Sequence, residues 1–122
     1  MPCNRVREVN VVHQTLIVAH MQPANAEAVA RIFAESDATD LPHLVGARRR
    51  KLFYFHDLYM HLVEADEDIE PSVSSHRTHP LYKEINTQLS EFISPYDPNW
   101  KEPKDAMATP FYEWCADPMR SR

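Results

Sequence analysis

The sequence predicts an α+β fold, and three observations predict it. Short β-branched and aromatic stretches alternate in hydropathy, two other stretches place apolar residues at three- and four-residue steps, and the order is strand, helix, strand, strand, helix, strand. That order describes a ferredoxin-like sandwich, a four-stranded antiparallel sheet with helices on one face. A chain of 122 residues forms one domain and excludes two independent cores.

Met1 to His13 shows no convincing period, so residues 1–13 are read as an arm, 14–116 as the single domain and 117–122 as a tail. Thr15 to Met21 is the first strand. Pro23 opens a helix where a missing N–H costs nothing. Val29, Ile32, Phe33 and Ser36 recur along one face of it, Glu27 and Arg31 pair on the other, and Asp40 and Pro42 end it. Leu44 to Glu64 reads as two strands joined at His56-Asp57. A two-residue loop pairs Phe55 with Leu58, Tyr54 with Tyr59, Leu52 with His61 and Arg50 with Val63, which makes Arg50 and His61 diagonal neighbours on one face. Lys51, Phe53, Phe55, Met60 and Leu62 fall on the other.

Asp66 to Thr78 predicts a short or bent helix around Pro71. A better helix starts at His79-Pro80, carries Leu81, Ile85, Leu89 and Phe92, and stops before Pro95. Pro95 to Lys104 is an irregular connection, and Met107 to Trp114 is the expected last strand, confined by Pro110 to an edge or a bulge. No internal repeat is present.

The 43% hydrophobic and 25% charged composition is that of a globular chain, and the net charge of −5 argues against a nucleic-acid partner. The longest apolar run, Leu16 to Ala19, is far too short to span a membrane. Cys3 and Cys115 have no CxxC or Cys/His companion, so neither a disulfide framework nor a zinc site is suggested, and a cytoplasmic location is expected. His76 and His79 have metal-ligand spacing but no third ligand at a recognisable interval.

Phe33-Ala34-Glu35-Ser36-Asp37, Leu41-Pro42, Gly46, Arg49-Arg50 and above all Phe53-Tyr54-Phe55-His56-Asp57-Leu58-Tyr59-Met60-His61-Leu62 resemble the tetracenomycin-type aromatic polyketide cyclases. His79-Pro80-Leu81, Pro95-Tyr96, Trp100 and Phe111-Tyr112-Glu113-Trp114 extend the resemblance over roughly Thr15 to Trp114. It implies a homodimer of the dimeric α+β barrel type and a cofactor-free, metal-free enzyme. The implied reaction closes a ring in a poly-β-ketone or partly cyclised intermediate by intramolecular aldol condensation and dehydration, with other polyketide synthase components as further partners. The family's catalytic roles map onto Asp37, Arg50 and His61, and Ser36 stands where a histidine often precedes the aspartate.

The chemistry of these residues leaves alternatives open. Arg50 on an apolar face either binds an enolate or phenolate oxygen or pairs with a helix carboxylate such as Asp37. His61 either exchanges protons near neutrality, shuttling one from the enolising carbon to the departing hydroxyl, or is held by hydrogen bonds in the sheet. Asp37 either orients a neighbour or faces solvent at the helix end. Ser36 is read as lining a pocket, since no nucleophile-elbow motif surrounds it. Phe33, Tyr54, Tyr59, Phe111 and Trp114 are mostly core, and Phe33, Tyr54, Tyr59 and Trp114 are the candidates for substrate binding. A cofactor-free monooxygenase of the same fold and a non-catalytic polyketide-binding accessory protein are the competing functions.

Overall fold

The computed structural model describes residues 13–116. Four strands form one antiparallel sheet in the order β2-β3-β1-β4, with β1 His13–Met21, β2 Ala47–Phe55, β3 Leu58–Ala65 and β4 Ile93–Pro95. This is the expected ferredoxin-like arrangement. The helices α1 (Ala26–Asp37), α2 (Leu41–Val45), α3 (Glu70–Ser75) and α4 (Pro80–Leu89), with Ile69 at the start of α3, bring Val29, Phe33, Leu41, Ile69 and Ile85 to cores built on Ala19, Met21, Tyr59, Val63 and Ala65 of the sheet.

The β2–β3 register is as expected, with Arg50 opposite Val63, Leu52 opposite His61, Tyr54 opposite Tyr59 and Phe55 opposite Leu58. The turn is made by His56, whose φ of 55° is left-handed. A non-glycine residue accepts that conformation in so short a loop, and the Asp57 carbonyl is then tied to β1 by the Met21 N–H at 3.0 Å. Along β3, Tyr59, His61, Val63 and Ala65 are buried while Met60 and Leu62 on the opposite face are partly open.

A bulge interrupts β2 between Ala47 and Arg49: Ala47 pairs with Ala65 and Arg49 already with Glu64. The extra residue, Arg48, shifts the alternation by one, so that Ala47 and Arg50 both point toward the helices. Arg48 itself is ion-paired with Asp66 at 2.6 Å.

Three expectations are corrected. The sheet's last strand is Ile93–Pro95, paired with Met21, His20 and Ala19, and not Met107 to Trp114. Of the latter stretch only Met107 bridges Ile17 and the Ala108 N–H reaches the Leu16 carbonyl at 2.7 Å, because Pro110 brings no donor with which to extend the ladder. The second long helix accordingly ends at Leu89, with His79 capping it by accepting from the Leu81 N–H. The five-residue α2 is missing from the sequence reading, since a single turn is too short to show a period. Finally, Cys115 is disulfide-bonded, although its sequence context suggests no disulfide; spacing along the chain is silent on approach in space. Cys3, the rest of the arm before His13 and the tail lie outside the described residues.

Gly46 closes α2 in the left-handed region at φ 82°, its N–H returning to the carbonyls of Pro42 and His43, and a Cβ there would meet no neighbour. The cost of Gly46→Ala is therefore conformational alone. Urea unfolding should show a loss of about 1 kcal/mol with an unchanged m-value.

Candidate active site

Between sheet and helices lies a cavity of about 580 Å³. Ile17, Ala19, Arg50, Tyr59, His61 and Val63 form its sheet side. Phe33 and Ser36 of α1, Leu41 and Val45 of α2, Ile69 just before α3 and Val73 within it, and Tyr82, Ile85 and Leu89 of α4 form the helical side. Trp100 and the segment to Ala106 complete the wall. The lining is mostly apolar, as suits an aromatic or polyketonic guest.

The polar centre is Arg50. Its Nε and Nη2 donate to the two carboxylate oxygens of Asp37 at 2.9 and 2.7 Å, a two-point contact that fixes the plane of the guanidinium. Nη1 donates to Nε2 of His61 at 2.9 Å, and the guanidinium carbon lies 4.9 Å from the centre of the Phe33 ring. Three of the five N–H bonds of Arg50 are thus used, which leaves one on Nη1 and one on Nη2 for an oxygen in the cavity. The helix end supplies Asp37, the bulged strand Arg50 and the central strand His61, so the group exists only in the assembled sandwich.

His61 is 7% exposed and packs edge-on against Phe33. Burial, and then the Arg50 charge, lower its pKa from 6.5 to about 3. It is therefore a neutral ring whose Nε2 accepts from Arg50. Burial and the neighbouring cation both disfavour a proton on this ring near neutrality. Tyr59 is 4% exposed, and burial raises its phenol above the ordinary range despite the opposing Arg50 charge. Tyr82, on the helical side, is shifted in the same direction by burial.

The structure thus brings together Arg50, His61, Asp37, Phe33, Ser36 and Tyr59. Asp37 contacts Arg50 without lining the cavity itself, and Tyr54 and Trp114 do not line it. Tyr54 is 54% exposed because it sits beside the hairpin tip, beyond the reach of the helices, and Trp114 is 71% exposed on the segment that failed to become a strand. Trp100, Tyr82 and Arg77 are lining residues absent from the sequence-derived site. Trp100 lies in an irregular connection, and nothing in its spacing indicates that the connection folds back over the cavity.

Among the described residues no group of three His, Cys, Asp or Glu side chains is placed to hold a metal. His76 and His79 have ring centres 6.1 Å apart, but Nδ1 of the first contacts the Ser72 carbonyl and Nδ1 of the second caps α4.

Fold and site define a ferredoxin-like protein that presents an oriented guanidinium to the contents of an apolar cavity. Residues 13–115 match the family of polyketide synthesis cyclases. Tetracenomycin F2 cyclase from Streptomyces glaucescens is 50% identical over 104 residues, which is 85% of this chain and 95% of that protein. Polyketide synthase CurG from Streptomyces cyaneus is 42% identical over 106 residues, 86% of this chain and 99% of that one. The solved structure of tetracenomycin F2 cyclase, a type-II polyketide cyclase, covers 86% of this chain with 99% of its own and a TM-score of 0.81. The chain belongs to the polyketide synthesis cyclase family.

His61 also makes a prediction about stability. The folded ring stays neutral down to about pH 3, whereas an ordinary imidazole titrates near 6.5, so below pH 6.5 unfolding takes up a proton. Stability is lost as the pH falls through that window. In His61→Gln, which keeps an acceptor for Arg50 but does not titrate, urea unfolding between pH 6.5 and 4 should show a pH slope shallower by about one proton. Parallel curves for wild type and variant would contradict the assigned protonation state.

Proposed function

We propose that the protein closes an aromatic ring in a poly-β-ketone or partly cyclised intermediate by intramolecular aldol condensation and dehydration. The observation that carries this reading is Arg50, clamped by Asp37 and His61 at the sheet side of an apolar cavity with two N–H bonds left over. A carbon between two carbonyls is already acidic. The enzyme's work is therefore to hold the chain folded and to stabilise the oxygen that gains charge when that carbon enolises. The two remaining N–H bonds of Arg50 suit that oxygen. In this reading His61 and Asp37 are positioning residues, acting through the guanidinium. Phe33 packs beneath it, and Ser36 lines the adjacent wall. No cofactor is needed for the condensation.

The tetracenomycin F2 cyclase likeness, at 50% identity over most of both chains, supports an aromatic substrate of that general kind. The setting is the cytoplasm, alongside the synthase that makes the intermediate. The disulfide at Cys115 is unusual for that compartment.

The functional unit in this reading is a homodimer. The helices cover one sheet face, and on the other Phe53 and Phe55 remain 43% and 61% exposed beside Lys51, Met60 and Leu62. Such a row of apolar groups is what a second copy would bury. Sedimentation or light scattering at micromolar concentration should report about twice the chain mass, and Phe53→Glu with Phe55→Glu should shift it toward the monomer.

Arg50→Met keeps length and apolar contact but removes the donors. Ring closure by the purified variant should fall by about 10² to 10³-fold in kcat, equivalent to about 2.7 to 4 kcal/mol, and the circular dichroism spectrum should persist. Product ratios followed under argon as well as air test the reaction class, because aldol closure consumes no oxygen. Parental turnover in the variant, or turnover only in air, would overturn the assignment.

A further inference from the structure

Tyr59 stands at the centre of the sheet side of the cavity, paired across the strands with Tyr54 and Ala19. It is 4% exposed, and its hydroxyl makes no hydrogen bond to any described residue. Buried tyrosine hydroxyls ordinarily find a partner, because stripping water from an O–H without replacing the hydrogen bond is unfavourable. It belongs to a core cluster with Phe33, Leu41, Val29 and Ile85, side chains that carry no hydrogen-bond acceptor. The group is thus a buried donor with no hydrogen-bonded acceptor among the described residues, and it shares the cavity with Arg50.

Two oxygens gain negative charge in succession during an aldol closure. The first is the enolate oxygen. As the enolate carbon's electron pair forms the new C–C bond, the π pair of the attacked ketone moves onto the second. The proton lost by the carbon acid ends on that second oxygen. In the dehydration the same carbon gives up a second proton, its C–H pair forms the C=C bond as the C–O bond breaks, and the hydroxyl leaves with that proton as water. Arg50, a permanent cation, matches the enolate, whereas a neutral O–H suits the ketone.

Resting on the cyclase reading above, we propose that Tyr59 is a catalytic residue whose hydroxyl donates a hydrogen bond to the ketone oxygen under attack, completing with Arg50 a two-donor site. Burial keeps the phenol protonated throughout the range in which the enzyme would work, so the donor is always present. The hydroxyl has no structural duty, which separates this role from a packing role.

The test is Tyr59→Phe, which removes one oxygen atom and leaves the ring in place. With a poly-β-ketone released by a minimal polyketide synthase as the probe, kcat for ring closure should fall on the order of 10²-fold while KM changes much less. The urea midpoint of the ligand-free variant should equal or exceed that of wild type, since no protein hydrogen bond is lost. A kcat within twofold of wild type overturns the proposal. So does a lowered urea midpoint, which would give the hydroxyl a structural partner. Wild-type protein that does not accelerate closure at all would instead defeat the cyclase reading itself, and the Tyr59 role with it.

Discussion

The fixed orientation of one guanidinium is the constraint around which the site is built. Arg50 is the point at which the end of α1, the bulged strand β2 and the central strand β3 meet, through Asp37, its own backbone and His61. The ion pair adds little net stability: the Asp37 side chain is 38% exposed and that of Arg50 19%, so water competes for both charges. Its value lies in direction. A two-point carboxylate contact on one edge and an imidazole acceptor on another fix the plane of the cation.

The same arrangement explains the behaviour of the histidine. A buried imidazole beside a permanent cation cannot accept a proton near neutrality, so its lone pair is spent on Arg50. In the proposed reading, residues that look like an acid–base set from their types alone act as an electrostatic one. This suits a substrate whose reacting carbon is acidic without help and whose greater need is confinement. Confinement comes from Phe33, Leu41, Ile85 and Trp100.

The core and the uncovered surface divide the sheet between its two faces. The inner residues of β3 close the core and line the cavity, and the alternate residues lie on the uncovered side. Period-two alternation allows one hairpin to do both, and the bulge at Arg48 lets β2 combine an inward Ala47 with an inward Arg50.

Much of this was legible in the sequence. The short loop at His56-Asp57 set the hairpin register, and once register is set, alternation alone decides that Arg50 and His61 share a face. Helical spacing likewise placed Phe33 and Ser36 toward the sheet. What the sequence left undecided concerned contacts between distant segments and the response of a group to its surroundings. Met107 to Trp114 has the composition of a strand, yet the edge of β1 pairs with the three residues Ile93–Pro95. Which segment wins that edge depends on where α4 delivers the chain. Whether Arg50 pairs with Asp37, and whether His61 titrates near neutrality, were open for the same reason. Residue type and spacing determined which groups face the cavity, and only the packed structure decided what each would be once there, because desolvation and neighbouring charge are properties of the enclosure and not of the residue.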